Sequence, residues 1–344
     1  MQRVVKIADR AVGMGLPAYV IAEIGANHDQ DLSLALEMIS QAAAAGAEAV
    51  KFQSIRFDRL YYPSLESGEF REWFRQIELD EKWYAALAER ARLEGVDFLS
   101  SPTYAESLGL LCAVGVPALK MASPQVQGNL PLLRKAAATG LPLIMSMGYS
   151  DYGDIQNALK TCREEGNENL ILLHCVAKYP TDPNEARLRY IQTLASMTEL
   201  PVGFSDHTLG THMAIAAVTL GACVIEKHVT IDRTRSGPDH HFALNFPELR
   251  SMIEQIREVQ QAMSEGTRMT LLSEEMELRE KVRLKAVCVR DLAAGEALNS
   301  QNISFLRASC NGLGMKELGD TERYVTRHPI DAGTVLNWSD LQLN

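Results

Sequence analysis

Residues 170–175 read LILLHC, four aliphatic side chains followed by His174 and Cys175. A short, unbroken apolar run that ends in polar or reactive residues suits a strand covered on both faces, as in a parallel sheet. Comparable runs occupy residues 18–25, 49–53, 97–102, 118–123, 142–148, 201–207 and 223–230. Amphipathic, alanine-rich segments alternate with them, for example at 32–45, 82–94, 130–139, 211–220 and 247–263. Gly46, Gly95, Gly140, Gly166 and Gly221 mark helix ends. Eight strand-and-helix units predict an α/β fold, a closed parallel (β/α)8 TIM barrel. The competing doubly wound sheet expects G-x-G-x-x-G after its first strand, and none follows residues 18–25.

A barrel uses about 250 residues. The pattern therefore divides the 344-residue chain into a barrel at 1–270, a linker at 271–284 and a small C-terminal domain at 285–344. A charged helical stretch at 273–285 joins the two. The last part repeats itself: Ala294-Gly295, Leu298-Asn299 and Asn302-Ile303 recur as Ala332-Gly333, Leu336-Asn337 and Asp340-Leu341. Strand-like runs at 286–290 and 324–327 precede the two copies, which predicts a module of short strands and turns with its own small core.

With 46% hydrophobic and 23% charged residues the composition is that of a globular protein and excludes a disordered chain. The 34 basic and 44 acidic residues leave a net charge of −10, which argues against nucleic acid and anionic membrane as partners. A small anion held by a few local cations remains compatible with that field. No apolar run approaches the roughly 20 residues of a membrane span, and the amino terminus has no apolar signal core, so a soluble, cytoplasmic protein is expected. Cys112, Cys162, Cys175, Cys223, Cys288 and Cys310 are scattered without a C-x-x-C and read as reduced thiols.

In such barrels the chemistry sits at the carboxyl ends of the strands. Those ends supply Glu23, Lys51, Gln53, Ser101, Lys120, Ser123, Ser146, His174, Tyr179, Ser205, Asp206, His207, Glu226 and His228. Lys51 and Lys120 lie inside apolar runs, where an ammonium needs an anion, a lowered pKa or a covalent task. With the serines beside them they point to a phosphate or carboxylate of a small ligand, and Gln53 is a further substrate contact. A structural ion pair with Glu23, Asp97 or Glu226 is the bland alternative. His207 and His228 end the last two strands, close enough to share a divalent cation with open coordination positions. Two merely hydrogen-bonded imidazoles fit the same spacing. His174 sits in a more apolar run and reads as a core or supporting residue, and Glu23 as a general base or an ion-pair partner. The long stretch 54–80, with Tyr61, Tyr62 and Trp73, is read as either a lid or a helical insertion with an aromatic core.

The segments IAEIGANHDQDLSLALEMI (21–39), AGAEAVKFQ (45–53), LLHCVAKYPT (172–181), GFSDHT (203–208), IEKHVTID (225–232) and GPDH (237–240) resemble the N-acetylneuraminate (sialic acid) synthase family, especially its spore coat polysaccharide biosynthesis protein E-like branch. The C-terminal part resembles that family's antifreeze-like (SAF) domain. The resemblance implies an enzyme, a transferase that condenses phosphoenolpyruvate with the open-chain aldehyde of an N-acylated amino sugar, giving a nonulosonic acid and phosphate. It implies a divalent metal on His207 and His228, Mn²⁺ with Mg²⁺ or Co²⁺ as alternatives. Lys51, Ser101, Lys120, Ser123 and Ser146 would bind phosphoenolpyruvate, and Glu23 would transfer the proton. Tyr179 and Asp239 would face the sugar. Arg307 would reach from the SAF domain into the partner's barrel in a domain-swapped homodimer. Gln125 stands where many members carry a sugar-contacting glutamate, and Ala177 where the sialic acid enzymes carry asparagine. The segment after Arg307 lacks the proline-glycine usually found there. The reaction type is thereby implied more firmly than the acceptor, for which N-acetylmannosamine, a diacetamido-dideoxy hexose and another aldehyde are all admissible. Two other functions compete: a class I aldolase with a Schiff base on Lys51 or Lys120, and a non-catalytic carbohydrate-binding protein.

Overall fold

The computed structural model describes residues 3–263 and 270–344. Residues 264–269, which the sequence pattern assigns to the end of the barrel domain, and Met1 and Gln2 of the amino terminus lie outside the described residues. The chain divides into two compact units, residues 1–264 and 265–344.

The first unit begins with a feature that the sequence pattern did not predict, an antiparallel hairpin of β1 (Val5–Ile7) and β2 (Arg10–Val12). Eight parallel strands follow: β3 (Tyr19–Gly25), β4 (Ala49–Ser54), β5 (Asp97–Pro102), β6 (Leu119–Met121), β7 (Leu143–Ser146), β8 (Leu170–Cys175), β9 (Val202–Asp206) and β10 (Val224–His228). Their order is β5-β4-β3-β10-β9-β8-β7-β6, and the end strands β5 and β6 lie side by side, so the sheet wraps into a TIM barrel. Helices such as Leu32–Ala45, Tyr84–Glu94 and Phe246–Ala262 cover it.

Because side chains alternate across a strand, each strand serves two cores. Val20, Ala22, Val50, Phe52, Leu172 and Phe204 face the helices. Tyr19, Ile21, Ala49, Leu99, Ala118, Ile144, Ile171, Leu173 and Val224 fill the barrel interior, closed from the amino-terminal side by Val5, Ile7 and Val12 of the hairpin. Gly203 occupies an inward position where a Cβ would stand 2.4 Å from Val224 O, so only glycine fits between β9 and β10. Asp97 belongs to this lower end: it accepts a hydrogen bond from Tyr19 Oη at 2.7 Å and pairs with Arg10 at 3.1 Å. As a partner for the strand lysines it is thereby ruled out.

In the second unit, β11 (Leu284–Cys288) pairs with β12 (Ile303–Arg307) and β13 (Tyr324–Thr326) with β14 (Leu341–Leu343), both antiparallel. Ala286, Cys288, Leu298, Ile303, Ile330, Leu336 and Leu341 form its core. The internal repeat is structural. Asn299 N donates to Asn302 Oδ1 and Asn337 N to Asp340 Oδ2, both at 2.8 Å, and Gly295 and Gly333 share φ +80°. The charged helix preceding it, Ser273–Val282, ends sooner than the sequence pattern predicts, because Leu284 and Lys285 enter β11.

Candidate active site

Following each inward register toward the carboxyl end turns an apolar interior into a polar one. Ile21 leads to Glu23, Ala49 to Lys51 and Gln53, Leu99 to Ser101, Ala118 to Lys120, and Ile144 to Ser146. Leu173 leads to Cys175, Gly203 to Ser205 and His207, and Val224 to Glu226 and His228. These groups line a cavity of about 450 Å³ together with Ser123, Gln125, Tyr149 and Tyr179. His174, out of phase, points to the helices: its Nε2 donates to Ala186 O at 2.7 Å and its ring stacks on Phe204.

Both lysines are buried and both find carboxylates. Lys51 Nζ is 2.9 Å from Glu23 Oε2 and 3.6 Å from Glu226 Oε2, and donates to Ser101 Oγ at 3.2 Å. Lys120 Nζ is 3.6 Å from Glu226 Oε1 and donates to Ser146 Oγ at 2.8 Å. The structure thus shows the ion-pair alternative, with Glu23 and Glu226 as the partners. Burial disfavours the Lys51 ammonium, but Glu226 and Glu23 outweigh it and raise its pKa. Lys120 comes out the other way, lowered by burial and by Lys51 despite Glu226. Burial pushes Glu226 up, and Lys120, Lys51 and the Ser205 hydroxyl more than reverse that, holding it well below the usual carboxylate range. Ser205 Oγ donates to Glu226 Oε1 at 2.8 Å.

The rings of His207 and His228 have centroids 5.5 Å apart. His207 Nδ1 lies 2.9 Å from Val176 O; a carbonyl only accepts, so Nδ1 carries the proton and Nε2 keeps its lone pair. Burial, with His228 adding to it, lowers the His207 pKa to about 3, so the ring is neutral at pH 7. His228 Nδ1 is buried without a hydrogen-bond partner, and Asp239 Oδ2 stands 3.4 Å from it. The His207 Nε2 lone pair and the unpartnered His228 Nδ1 fit one divalent cation. Among the described residues no third His, Cys, Asp or Glu completes a metal cluster.

Residues outside the cavity hold these groups in place. On the outward face of the same two strands, Lys227 Nζ donates to Asp206 Oδ2 at 2.8 Å and to Thr208 O, while Asp206 Oδ1 accepts from Thr208 N at 2.8 Å. This buried pair joins the residues next to His207 and His228. Its signal in the sequence was a lysine in the apolar run of β10, the same signal that marked Lys51 and Lys120. At the end of β3, Gln53 Nε2 donates to Glu23 Oε1 at 2.8 Å. A Cβ on Gly25, whose φ is +56°, would sit 3.2 Å from Asp239 Oδ2 and 3.4 Å from Glu23 Oε1. Asp239 thus adjoins the cavity through Gly25 and His228. Arg307 ends β12 of the second unit with its side chain exposed. The stretch 54–80 folds into short helices, Phe57–Leu60 and Gly68–Arg75 among them, around an aromatic cluster of Phe57, Tyr61, Phe70 and Phe74. Ile55, Leu60, Tyr61 and Phe74 form an apolar wall of the cavity, so the insertion is a helical segment with an aromatic core that also lines the cavity.

The family model described as "NeuB family" matches residues 38–268, and an SAF domain matches 286–342. The chain belongs to the NeuB family. Among NeuB relatives it is 33% identical over 345 residues to an N,N'-diacetyllegionaminic acid synthase of Legionella pneumophila, covering 96% of each chain. It is 35% identical to the spore coat polysaccharide biosynthesis protein SpsE of Bacillus subtilis, covering 98% of this chain and 97% of that protein. The solved structure of an N-acetylneuraminic acid (sialic acid) synthetase from Leptospira borgpetersenii in complex with citrate superposes with a TM-score of 0.75 at 34% identity, over 82% of this chain and 98% of that one. Among the described residues no helix is long and apolar enough to cross a membrane.

Proposed function

We propose that the chain is a C–C bond-forming transferase of the sialic acid synthase type. It would condense phosphoenolpyruvate with the aldehyde of an N-acylated amino sugar and release phosphate. The observation that carries this reading is the convergence of Lys51, Lys120, His207 and His228 on one cavity at the carboxyl ends of the barrel strands. Support comes from family membership and from relatives named as nonulosonic acid synthases.

In this mechanism Lys51 and Lys120 neutralise the phosphate and carboxylate of phosphoenolpyruvate, and Ser101, Ser123 and Ser146 donate hydroxyl hydrogen bonds to them. The ligand would compete with Glu226 for the lysines, and the Ser205 hydroxyl would go on hydrogen-bonding the Glu226 carboxylate. His207 and His228 would hold a divalent cation, Mn²⁺ by resemblance, which supplies Lewis-acid polarisation of the acceptor carbonyl. C3 of the enol phosphate bonds to the aldehyde carbon, water adds at C2, and the C2–O bond to phosphate breaks. Glu23, paired with Lys51 at 2.9 Å and oriented by Gln53, takes or returns the proton of that water or of the new hydroxyl. Gln125, Tyr179 and Asp239 form the acceptor side. The homodimer in which Arg307 enters the partner's cavity belongs to the same proposal, as does a cytoplasmic location.

Phosphate release tests it: the enzyme with phosphoenolpyruvate, Mn²⁺ and a panel of N-acylated aldoses should release phosphate, and EDTA should stop it. A second reading has its own observation, since the buried, lowered Lys120 amine is also what a Schiff-base lysine requires. Borohydride trapping of a carbonyl on Lys120, with turnover indifferent to EDTA, would establish the aldolase instead.

A further inference from the structure

Asp29 and His240 are 211 residues apart in sequence, and their side chains meet at 2.9 Å, Oδ1 to Nε2. A carboxylate oxygen accepts, so His240 Nε2 donates to Asp29, and on the other side of the ring Nδ1 is hydrogen-bonded to Thr230 Oγ1, 2.7 Å away. The His240 ring is fully buried, so its bond to Thr230 stands where water does not compete. Asp29 Oδ2 also pairs with Arg235 of the same loop. One carboxylate thus ties the turn after β3 to both limbs of the loop after β10. The turn itself is over-determined: Asp29 and Gln30 hold φ +49° and +57°, a left-handed region that non-glycine residues seldom adopt.

Asp239 is the neighbour of His240 in the chain, and its carboxylate is packed against Gly25 and His228 Nδ1. Neither Asp29 nor His240 lines the cavity, so any influence on ligands must pass through what they hold. We infer that Asp29 is a positioning residue: through His240 it fixes Asp239 at the acceptor side of the cavity. The inference rests on the proposed condensing activity for its meaning in turnover. It separates the site into two halves, an acceptor side that depends on the clasp and a lysine cup, on other strands, that does not.

The test uses D29A, D29N, D239A and the double variant D29A/D239A of the full chain. D29N keeps an oxygen that accepts from His240 and loses only the charge on Arg235, whose side chain is 42% exposed and whose ion pair contributes little. D29A should raise the acceptor KM by about tenfold or more and leave the phosphoenolpyruvate KM within about twofold. D29N should restore most of the loss. The double variant should be no worse than D239A, because both substitutions remove the same contact. Amide hydrogen exchange over residues 232–243 should quicken in D29A and not in D29N, a readout that needs no turnover. An unchanged acceptor KM in D29A, or losses in D29A and D239A that multiply, overturns the inference. If the wild-type chain releases no phosphate with any aldose, the functional reading fails by itself. The exchange measurement then decides the clasp, and unchanged exchange in D29A rejects it.

Discussion

Glu226 Oε1 stands 3.6 Å from Lys120 Nζ, and the second oxygen of the same buried carboxylate is 3.6 Å from Lys51. One carboxylate therefore bridges two ammoniums, of which Lys51 also has Glu23 at 2.9 Å. E226Q leaves the buried Lys120 ammonium without its carboxylate, which should cost about 3–5 kcal/mol of stability. Inorganic phosphate or phosphoenolpyruvate should then raise the melting temperature of E226Q by more than it raises that of the wild type. Equal shifts would show that Glu226 is not the counter-ion that the ligand replaces.

The alkaline limb of phosphoenolpyruvate binding should report Lys120. Burial and Lys51 lower its pKa, and a bound phosphate favours the charged form. Affinity is therefore full below the lowered pKa and is lost as pH rises through it, earlier than an ordinary lysine would dictate. Measuring the phosphoenolpyruvate KM from neutral pH upward checks the sign: KM should climb with pH.

The Lys227–Asp206 pair should matter to the cation that it never touches. K227M leaves the Asp206 carboxylate buried without its counter-ion, at a cost of about 3–5 kcal/mol, and D206N/K227M should be the more stable of the two variants. Mn²⁺ affinity, read by calorimetry, should fall by about 10–100-fold in K227M, as for other residues that orient metal ligands. An unchanged affinity would mean that His207 and His228 keep their places without this brace.

Gly25 is expected to tolerate no side chain. G25A forces a φ of +56° on alanine, costing roughly 1–2 kcal/mol, and places its methyl 3.2 Å from Asp239 Oδ2. The acceptor KM should rise while the phosphoenolpyruvate KM stays near the wild-type value, which steady-state kinetics with each substrate varied in turn would show.

The barrel was legible because its strands are apolar on both faces and its glycines punctuate the helices; β8 matches the LILLHC run residue for residue. The run at 118–123 overshoots, since Ser123 and Pro124 begin a helix and β6 is only Leu119–Met121. The β1–β2 hairpin was missed because two three-residue strands give too short an alternation to detect. Its weight is testable: I7A removes a fully buried side chain from the barrel interior and should cost about 2–5 kcal/mol with both KM values unchanged.

Strand-end position exposed the ionisable groups of the site, and the two-residue alternation decided which of them face the cavity, separating His207 from Asp206 and Glu226 from Lys227. The Asp29–His240 clasp was not legible, because nothing local in either loop signals a partner 211 residues away. Which carboxylate each lysine meets was open for the same reason: register between strands belongs to the tertiary fold, and the run of residues within one strand does not contain it.

The central claim concerns a bond, so the product should be weighed. Incubation with phosphoenolpyruvate, Mn²⁺ and each of a panel of N-acylated aldoses, followed by mass spectrometry, should give with one of them a new acid. Its mass should equal both substrates plus water less phosphoric acid, and it should be lost on chelation or in K51A. Phosphoenolpyruvate left intact beside every aldose, or a product that forms equally well without a divalent cation, would contradict the account.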